Sequence, residues 1–493
     1  MRRKLLIIWL PFLLLLAGCD KWLDVKPDDV VNEDEIFTDR KGFQSALAGV
    51  YYDMSRPQLY GRELKFGFMD AMVGYYNITS STHRYIETTK FNFTHANSRP
   101  LIDGIWSGLY KSINSLNIIL NNIENLKTDP NYALVKGEAL GLRAYLHLEV
   151  LKYFGPVIKE DGLETLAVPY YSTVYTQAQK SMTSRQVLGL IERDLQESLA
   201  LLANDPIKTE GGRTTNGNED PLDYNSLLDR RGVRMNYYAV LALLARKSQW
   251  EGNQQEAYTR AKRVVDELQQ SKAITLITSS GIASNYQRDL RFATENIFGL
   301  YVNDFRQLNI TTGILPDLQA AYTTNKVLLP DYSYLNTNLY AKAGTGSTND
   351  YRLLYWFAAY QGVHRLVKLQ VDDLAPTFYN QYEVSMISLA EMYYIMAEAR
   401  IDSDPQSALE TLNELRKTRN LIAPIAYDSG QTRTQLLQHI IEEARKQSIG
   451  EGYMYGMYKR LYIDIVRKSG TVTASKSIYQ LPIPIDENIY NPQ

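Results

Sequence analysis

Paired amphipathic segments constrain the fold of this 493-residue chain more than any other feature. Trp106 to Leu126 places Leu109, Ile113, Leu116, Leu120 and Ile123 at three- and four-residue steps, which gathers them on one helix face. Thr128-Asp129-Pro130 stops that helix, and an alanine- and leucine-rich one from Tyr132 to Phe154 follows, ending at Gly155-Pro156. Two helices joined by a short turn make an antiparallel hairpin. The pattern recurs at Asn236 to Trp250 with Gln254 to Gln270, and at Ser385 to Asp402 with Gln406 to Arg419. Further helices are expected from Glu35 to Tyr52, where Phe43, Leu47 and Val50 share a face, and from Thr432 to Ser448. Another runs to Leu202 from Thr183, which has capping-box spacing with Gln186. In the two later pairs Ala239, Ala242, Ala245, Trp250, Ala257 and Ala261, then Ala390, Ala397, Ala399, Ala408 and Leu412, resemble tetratricopeptide hairpins. The pairs are not contiguous, which argues against a regular solenoid of many units. Residues 55–103, 204–233 and 271–383 lack helical period and are rich in Gly, Asn, Thr and Tyr. Irregular stretches this long are usually functional or disordered. The fold class that follows is mostly α: a tetratricopeptide-like helix-pair scaffold whose long loop and short-strand insertions form a binding face.

The N-terminus predicts an address. Arg2, Arg3 and Lys4 precede the uncharged run Leu5 to Ala17, which is too short for the ~20 residues a membrane span needs. Leu16-Ala17-Gly18-Cys19 then offers small residues before a cysteine, so residues 1–18 read as a lipoprotein signal peptide and Cys19 as the lipidated N-terminus. Cys19 is the only cysteine, so no disulfide is possible and the fold rests on its core alone. Residues 19–35 are polar and acidic and read as a tether to a single body, 36–493. Loss of the three basic residues takes the formal charge from −2 to about −5. That mild acidity argues against nucleic acid. The membrane is reached only through the lipid.

No catalytic or metal-binding motif emerges. There is no HExxH, no GxxxxGK[ST], no GxSxG and no acidic calcium loop. Gly344-Thr-Gly-Ser347 reads as a turn, because no buried strand precedes it. His83, His95, His147, His364 and His439 are scattered without ligand spacing, and His147 reads as packed within its helix. Asp372-Asp373 and Glu442-Glu443 are acid pairs of the kind a glycosidase needs, yet neighbouring acids are usually solvated. The chain is therefore expected to be no enzyme and to carry no cofactor and no metal. A surface glycoside hydrolase or a non-binding structural surface protein are the rival readings. Of the 37 tyrosines, most are expected to pack between helices with the hydroxyl reaching a polar partner.

Trp22-Leu-Asp-Val-Lys-Pro27, Phe37-Thr38 with Ala46 to Tyr51, Arg143-Ala-Tyr-Leu-His-Leu148 leading to Tyr153-Phe-Gly-Pro156, and Ser388 to Ala399 together resemble the SusD/RagB family of outer-membrane nutrient-binding lipoproteins. Asn413-Glu-Leu-Arg416 with Arg419 and the closing Tyr479-Gln-Leu-Pro-Ile-Pro484 with Glu487 and Asn491-Pro492 complete the likeness. Glu451-Gly452 and Lys459-Arg460 match the family's last helix region, but Gln447 and Met457 stand where it has acids, which puts a local ion-pair network in doubt. The resemblance implies a lipid-anchored protein exposed on the outer membrane. It would capture an oligosaccharide, or a peptide, for a partner TonB-dependent (SusC-like) transporter, without cleaving it.

The resemblance also implies where the ligand sits: the loops at 70–100 and 300–340, the latter after Glu295-Asn-Ile-Phe298. The first holds Asp70, Tyr75, Tyr76, Asn77, Arg84 and Tyr85, and the second Asn303, Arg306, Tyr332 and Tyr334. Adjacent tyrosines can form a platform for a sugar face, and Asn and Arg can orient hydroxyls or carboxylates. The candidate ligand-binding set is Tyr75, Tyr76, Asn77, Arg84, Tyr85, Arg306, Tyr332 and Tyr334, with Tyr340 beside the last two as a further aromatic position.

Overall fold

The computed structural model describes residues 36–490, except 176, 210–212, 215–227, 284–287, 318–324, 361 and 372–378. The expected signal peptide at 1–18, Cys19, the expected tether at 19–35 and Asp372-Asp373 lie outside the described residues. The principal helices are α1 (Arg40–Met54), α2 (Arg99–Asn122), α3 (Tyr132–Phe154), α4 (Ser184–Leu201) and α5 (Tyr237–Glu251). They continue with α6 (Gln254–Ser271), α7 (Leu389–Arg400), α8 (Pro405–Lys417), α9 (Arg433–Gln447) and α10 (Tyr453–Leu461).

Local chemistry explains their ends. Thr183 and Gln186 form the reciprocal capping box that starts α4, and Thr432 with Gln435 does the same for α9. The Asn236 side chain accepts from the Ala239 N–H at the start of α5. Gly252, in the left-handed region at φ 85°, turns the chain from α5 into α6. On α1 the predicted face of Phe43, Leu47 and Val50 is wholly buried. α3 is buried nearly all round, which marks it as the central helix of the layer.

Successive helices pack on one another along the chain, α1 on α2, α2 on α3, and onward through α4, α5 and α6. The stack does not stop at the long insertion: α6 packs directly on α7 although residues 272–388 intervene, and α7 then packs on α8 and α9. Separation of the pairs in sequence therefore interrupts the chain without interrupting the stack. Ala242 and Ala397 are both fully buried in it. Leucine at either position should overpack the contact and cost about 1–3 kcal/mol, read as a lower melting temperature by circular dichroism. Unchanged melting of both variants would contradict this packing.

The expected helix start at Ser385 needs correction. Glu383–Ser388 is a strand, β6, which pairs antiparallel with β3 (Asn296–Tyr301) before the chain enters α7. Arg246 of α5 donates to the Met386 carbonyl at 3.1 Å, and Asn236 donates to the Ile297 carbonyl at 2.8 Å. The scaffold thus holds both strands that launch the insertion. Other short pairs are β1 (Leu166–Val168) with β2 (Met182–Thr183), β4 (Phe357–Tyr360) with β5 (Val363–Leu366), and β7 (Ile465–Arg467) with β8 (Gly470–Val472). Among the described residues no helix is long and apolar enough to cross a membrane.

The doubt over an ion-pair network near α10 resolves onto other residues. Arg460 donates to both oxygens of Glu398 at 2.5 and 2.7 Å. Lys368 donates to the main-chain oxygens of Gln447 and Ile449 and to the Glu451 carboxylate at 2.6 Å. Gln447 contributes its carbonyl, and Met457 is simply buried.

Candidate functional site

The two loops singled out in the sequence meet. The Asn77 N–H donates to the Leu329 carbonyl and the Asp331 N–H to the Tyr75 carbonyl, both at 2.9 Å, and Tyr76 and Pro330 form an antiparallel bridge. The buried His83 fastens a second point, with Nε2 at 3.3 Å from the Val327 carbonyl while Nδ1 accepts from the Tyr85 N–H. That pattern fits a neutral ring, and burial lowers its pKa further. The β7–β8 hairpin supports the joint from below: Arg467 donates to the Met72 and Thr89 carbonyls, and Lys468 pairs with Asp331 at 3.2 Å.

A third segment joins them. Tyr332 stacks on His364 of β5, with ring centroids 3.5 Å apart and planes 11° apart, and leans on Phe357 of β4 at 5.4 Å. Both stacked rings are partly exposed, while Phe357 is buried beneath. Asn77, Thr79, Ser81, Thr82 and Ser333 are exposed on the joined loops. The result is an aromatic pair, Tyr332 of the second loop against His364 of the β4–β5 hairpin, with small hydrogen-bonding side chains exposed on the joined loops.

The proposed tyrosine platform at 75, 76 and 85 does not form. Tyr75 is fully buried and donates its hydroxyl to the Arg445 carbonyl at 2.7 Å. Tyr76 is buried at the bridge with Pro330, so the pair does not alternate between core and solvent. Tyr85 is also fully buried and donates to Glu63 Oε2 at 2.9 Å. None of these rings has a face free for a ligand. Tyr340 is likewise inside, donating to the Lys446 carbonyl at 2.7 Å. Asp70 is inside too, accepting from the Gly450 and Gly452 N–H groups at 2.6 and 3.0 Å. Burial pushes its carboxyl up to about 8 against the pull of those two donors.

The remaining candidates stay at the surface. Asn77 and Asn303 are exposed, and Tyr334 is half-buried beside Arg445. Arg84 is partly exposed and is held by Glu63 Oε1 at 2.9 Å, an oxygen it shares with Arg62 at 3.0 Å. Arg306 pairs with Asp317 at 3.5 Å, whose main-chain oxygen accepts from Arg365, the neighbour of His364. Two organising residues escape a reading of the sequence. Glu63 gathers Arg62, Arg84 and Tyr85, and His364 completes the stack with Tyr332. The only sequence signal for either was a polar residue in a long irregular stretch.

The acid pair Glu442-Glu443 is committed elsewhere. Glu443 pairs with Arg352 at 2.6 Å and Arg416 at 3.2 Å. Burial would raise its carboxyl, but Arg352, Lys446 and Arg416 hold it at about 2. Glu442 pairs with Lys342. His147 is fully buried, stacks on Tyr170 at 3.7 Å and bridges the Arg143 carbonyl and the Tyr171 N–H. Among the described residues no group of His, Cys, Asp and Glu is arranged to hold a metal ion. The polar cavity between α3, α5 and α10 has a volume of about 50 Å³, far below the ~300 Å³ at which small-molecule pockets begin.

Comparison with known proteins follows the same lines. The SusD-like family model described as starch-binding associating with outer membrane matches residues 21–216. A SusD superfamily protein from Bacteroides thetaiotaomicron VPI-5482 shares the fold with a TM-score of 0.69 at 21% identity, over 94% of this chain and 98% of that one. A SusD-like carbohydrate binding protein from Bacteroides vulgatus ATCC 8482 gives 0.67 at 19% identity, over 92% and 96%. A putative sugar binding protein from the same strain gives 0.65 at 22% identity, over 92% and 96%. No curated protein matches. The chain is thus similar to the SusD-like family over residues 21–216, and it shares the fold of SusD superfamily structures over nearly its whole length.

Proposed function

We propose that this protein is a non-enzymatic, lipid-anchored glycan-binding protein of the outer membrane. It captures an oligosaccharide at the joined loops and passes it to a partner TonB-dependent transporter. The observation that carries the reading is the partly exposed Tyr332–His364 stack on a face built from three segments. A flat aromatic surface suits the C–H face of a sugar ring, and bordering Asn, Ser and Thr suit its hydroxyls. Arg84 and Arg306, each fixed by a carboxylate, would orient an acidic or hydroxyl-rich substituent. The family description and the printed names of two similar structures support a carbohydrate as ligand.

Affinity electrophoresis of the protein lacking residues 1–20, in gels cast with plant, fungal and host polysaccharides, tests this directly. Retardation by at least one polysaccharide, with no release of reducing ends, is the expected result. Free migration through all of them would contradict it.

Anchoring through Cys19 gives a separate expectation. Cys19→Ala should release the protein from membranes into the soluble fraction, since the lipid is its only proposed hold. A variant that still pellets with membranes after a high-salt wash would refute the lipoprotein reading.

A further inference from the structure

A second polar feature lies inside the scaffold, between α3, α5, α10 and the β6–α7 junction. It is the cavity of about 50 Å³, reached from solvent past the partly exposed Lys152, Ser385, Glu451 and Arg460. That volume takes a few water molecules or one small ion. Its lining carries four cations, Lys65, Lys152, Arg246 and Arg460, against three carboxylates, Glu149, Glu391 and Glu451.

The carboxylates are already matched. Lys152 donates to Glu149 at 2.5 Å, and Arg246 grips both oxygens of Glu391 at 2.7 Å. Glu451 accepts from Lys368, and Arg460 takes Glu398 from outside the lining. Counting these two partners leaves the imbalance unchanged, at one positive charge. Lys65 is the cation left over. It is 6% exposed, and among the described residues no carboxylate lies within ion-pair distance of it. Its ammonium donates to the Ser385 carbonyl at 2.5 Å and faces the Tyr60 ring at 5.7 Å. An ammonium has three donors, and a buried unpaired charge is costly unless something neutralises it.

We propose that this cavity is a binding site for one chloride-sized monovalent anion, held by Lys65. The anion would supply the missing negative charge where the stacked helices and the β6 strand meet. Burial lowers Lys65 to about 8, against the pull of Glu149 and Glu451, so the lysine is still charged at neutral pH and its charge is what the anion would match. The site is distinct from the glycan face and does not depend on that reading.

The test uses bromide as the probe. Crystals of the protein lacking residues 1–20, grown without halide and soaked in millimolar bromide, should show an anomalous peak within hydrogen-bonding distance of Lys65 Nζ. In solution, the melting temperature should rise when chloride replaces gluconate at constant ionic strength. That dependence should vanish in Lys65→Met. No peak in the cavity, or a chloride dependence that persists unchanged in Lys65→Met, overturns the proposal. A peak only at molar bromide, with no chloride-dependent melting, means an adventitious ion only and also overturns it. If Lys65→Met does not fold, the bromide peak and the melting series on the unsubstituted protein decide the matter.

Discussion

Arg231→Ala should destabilise this protein by about 3–5 kcal/mol, the cost of stripping one partner from a buried ion network. Arg231 is fully buried, at 0% exposure, as is Glu138. Its guanidinium donates to both Asp205 oxygens at 3.0 and 2.8 Å, to Glu138 Oε2 at 2.8 Å and to the Met235 carbonyl at 2.8 Å. Removal leaves Glu138 with Arg234 at 3.2 Å and the Tyr51 hydroxyl at 2.6 Å. Among the described residues Asp205 then keeps the N–H groups of Ile207 and Tyr237 alone, so it bears most of the penalty. Urea unfolding should show a lower midpoint at an unchanged slope. A loss under about 1 kcal/mol, the scale of an exposed pair, would mean the network is not buried in solution.

Gly452→Ala should be strongly destabilising for so small a substitution. Gly452 sits at φ 65°, in the left-handed region, where a Cβ costs roughly 1–2 kcal/mol. A Cβ there would also lie 2.1 Å from the Leu64 carbonyl oxygen, a backbone atom with no rotamer to change. Either the 450–452 turn or the strand of chain at Leu64 must move. Movement of the turn would loosen the two N–H groups that Asp70 accepts from, and overpacking of this kind adds about 1–3 kcal/mol. Thermal melting should fall by many degrees, whereas Gly49→Ala, with open space around its Cβ, should leave it nearly unchanged. Equal melting of the two variants would contradict the close approach at Leu64.

These two sites also show what can be read from a sequence and what cannot. The helices of the scaffold were legible because their signals are local: three- and four-residue periodicity in α2, a capping box at Thr183 and Gln186, a glycine after α5. The Glu451-Gly452 pair was visible as a family-like motif, but its reason was not, since Leu64 and Asp70 approach it from nearly four hundred residues away. The same distance problem explains the misread tyrosines. Nothing around Tyr75 in the chain announces Arg445, and nothing around Tyr85 announces that Glu63 turns inward to receive its hydroxyl. A loop tyrosine is exposed or buried according to what folds over it. His364 was passed over for the converse reason, because a lone histidine gains meaning only once Tyr332 lies against its ring.

Strand β6 was missed because Glu383–Ser388 runs without a break into the apolar period of α7. Pairing with β3, and donors such as Arg246 that reach its carbonyls from far away in the chain, hold it extended.

The central claim is that a glycan binds at the face made by residues 75–85, 327–340 and 357–366. Isothermal titration calorimetry tests it most directly, using oligosaccharide from whichever polysaccharide retards the protein in affinity gels. The titrations compare the unsubstituted protein with the Tyr332→Ala/His364→Ala double variant, after circular dichroism has shown equal melting. Loss of two stacking rings at about 1 kcal/mol each predicts an affinity lower by tenfold or more. An affinity unchanged by the double substitution would contradict the assignment of this face.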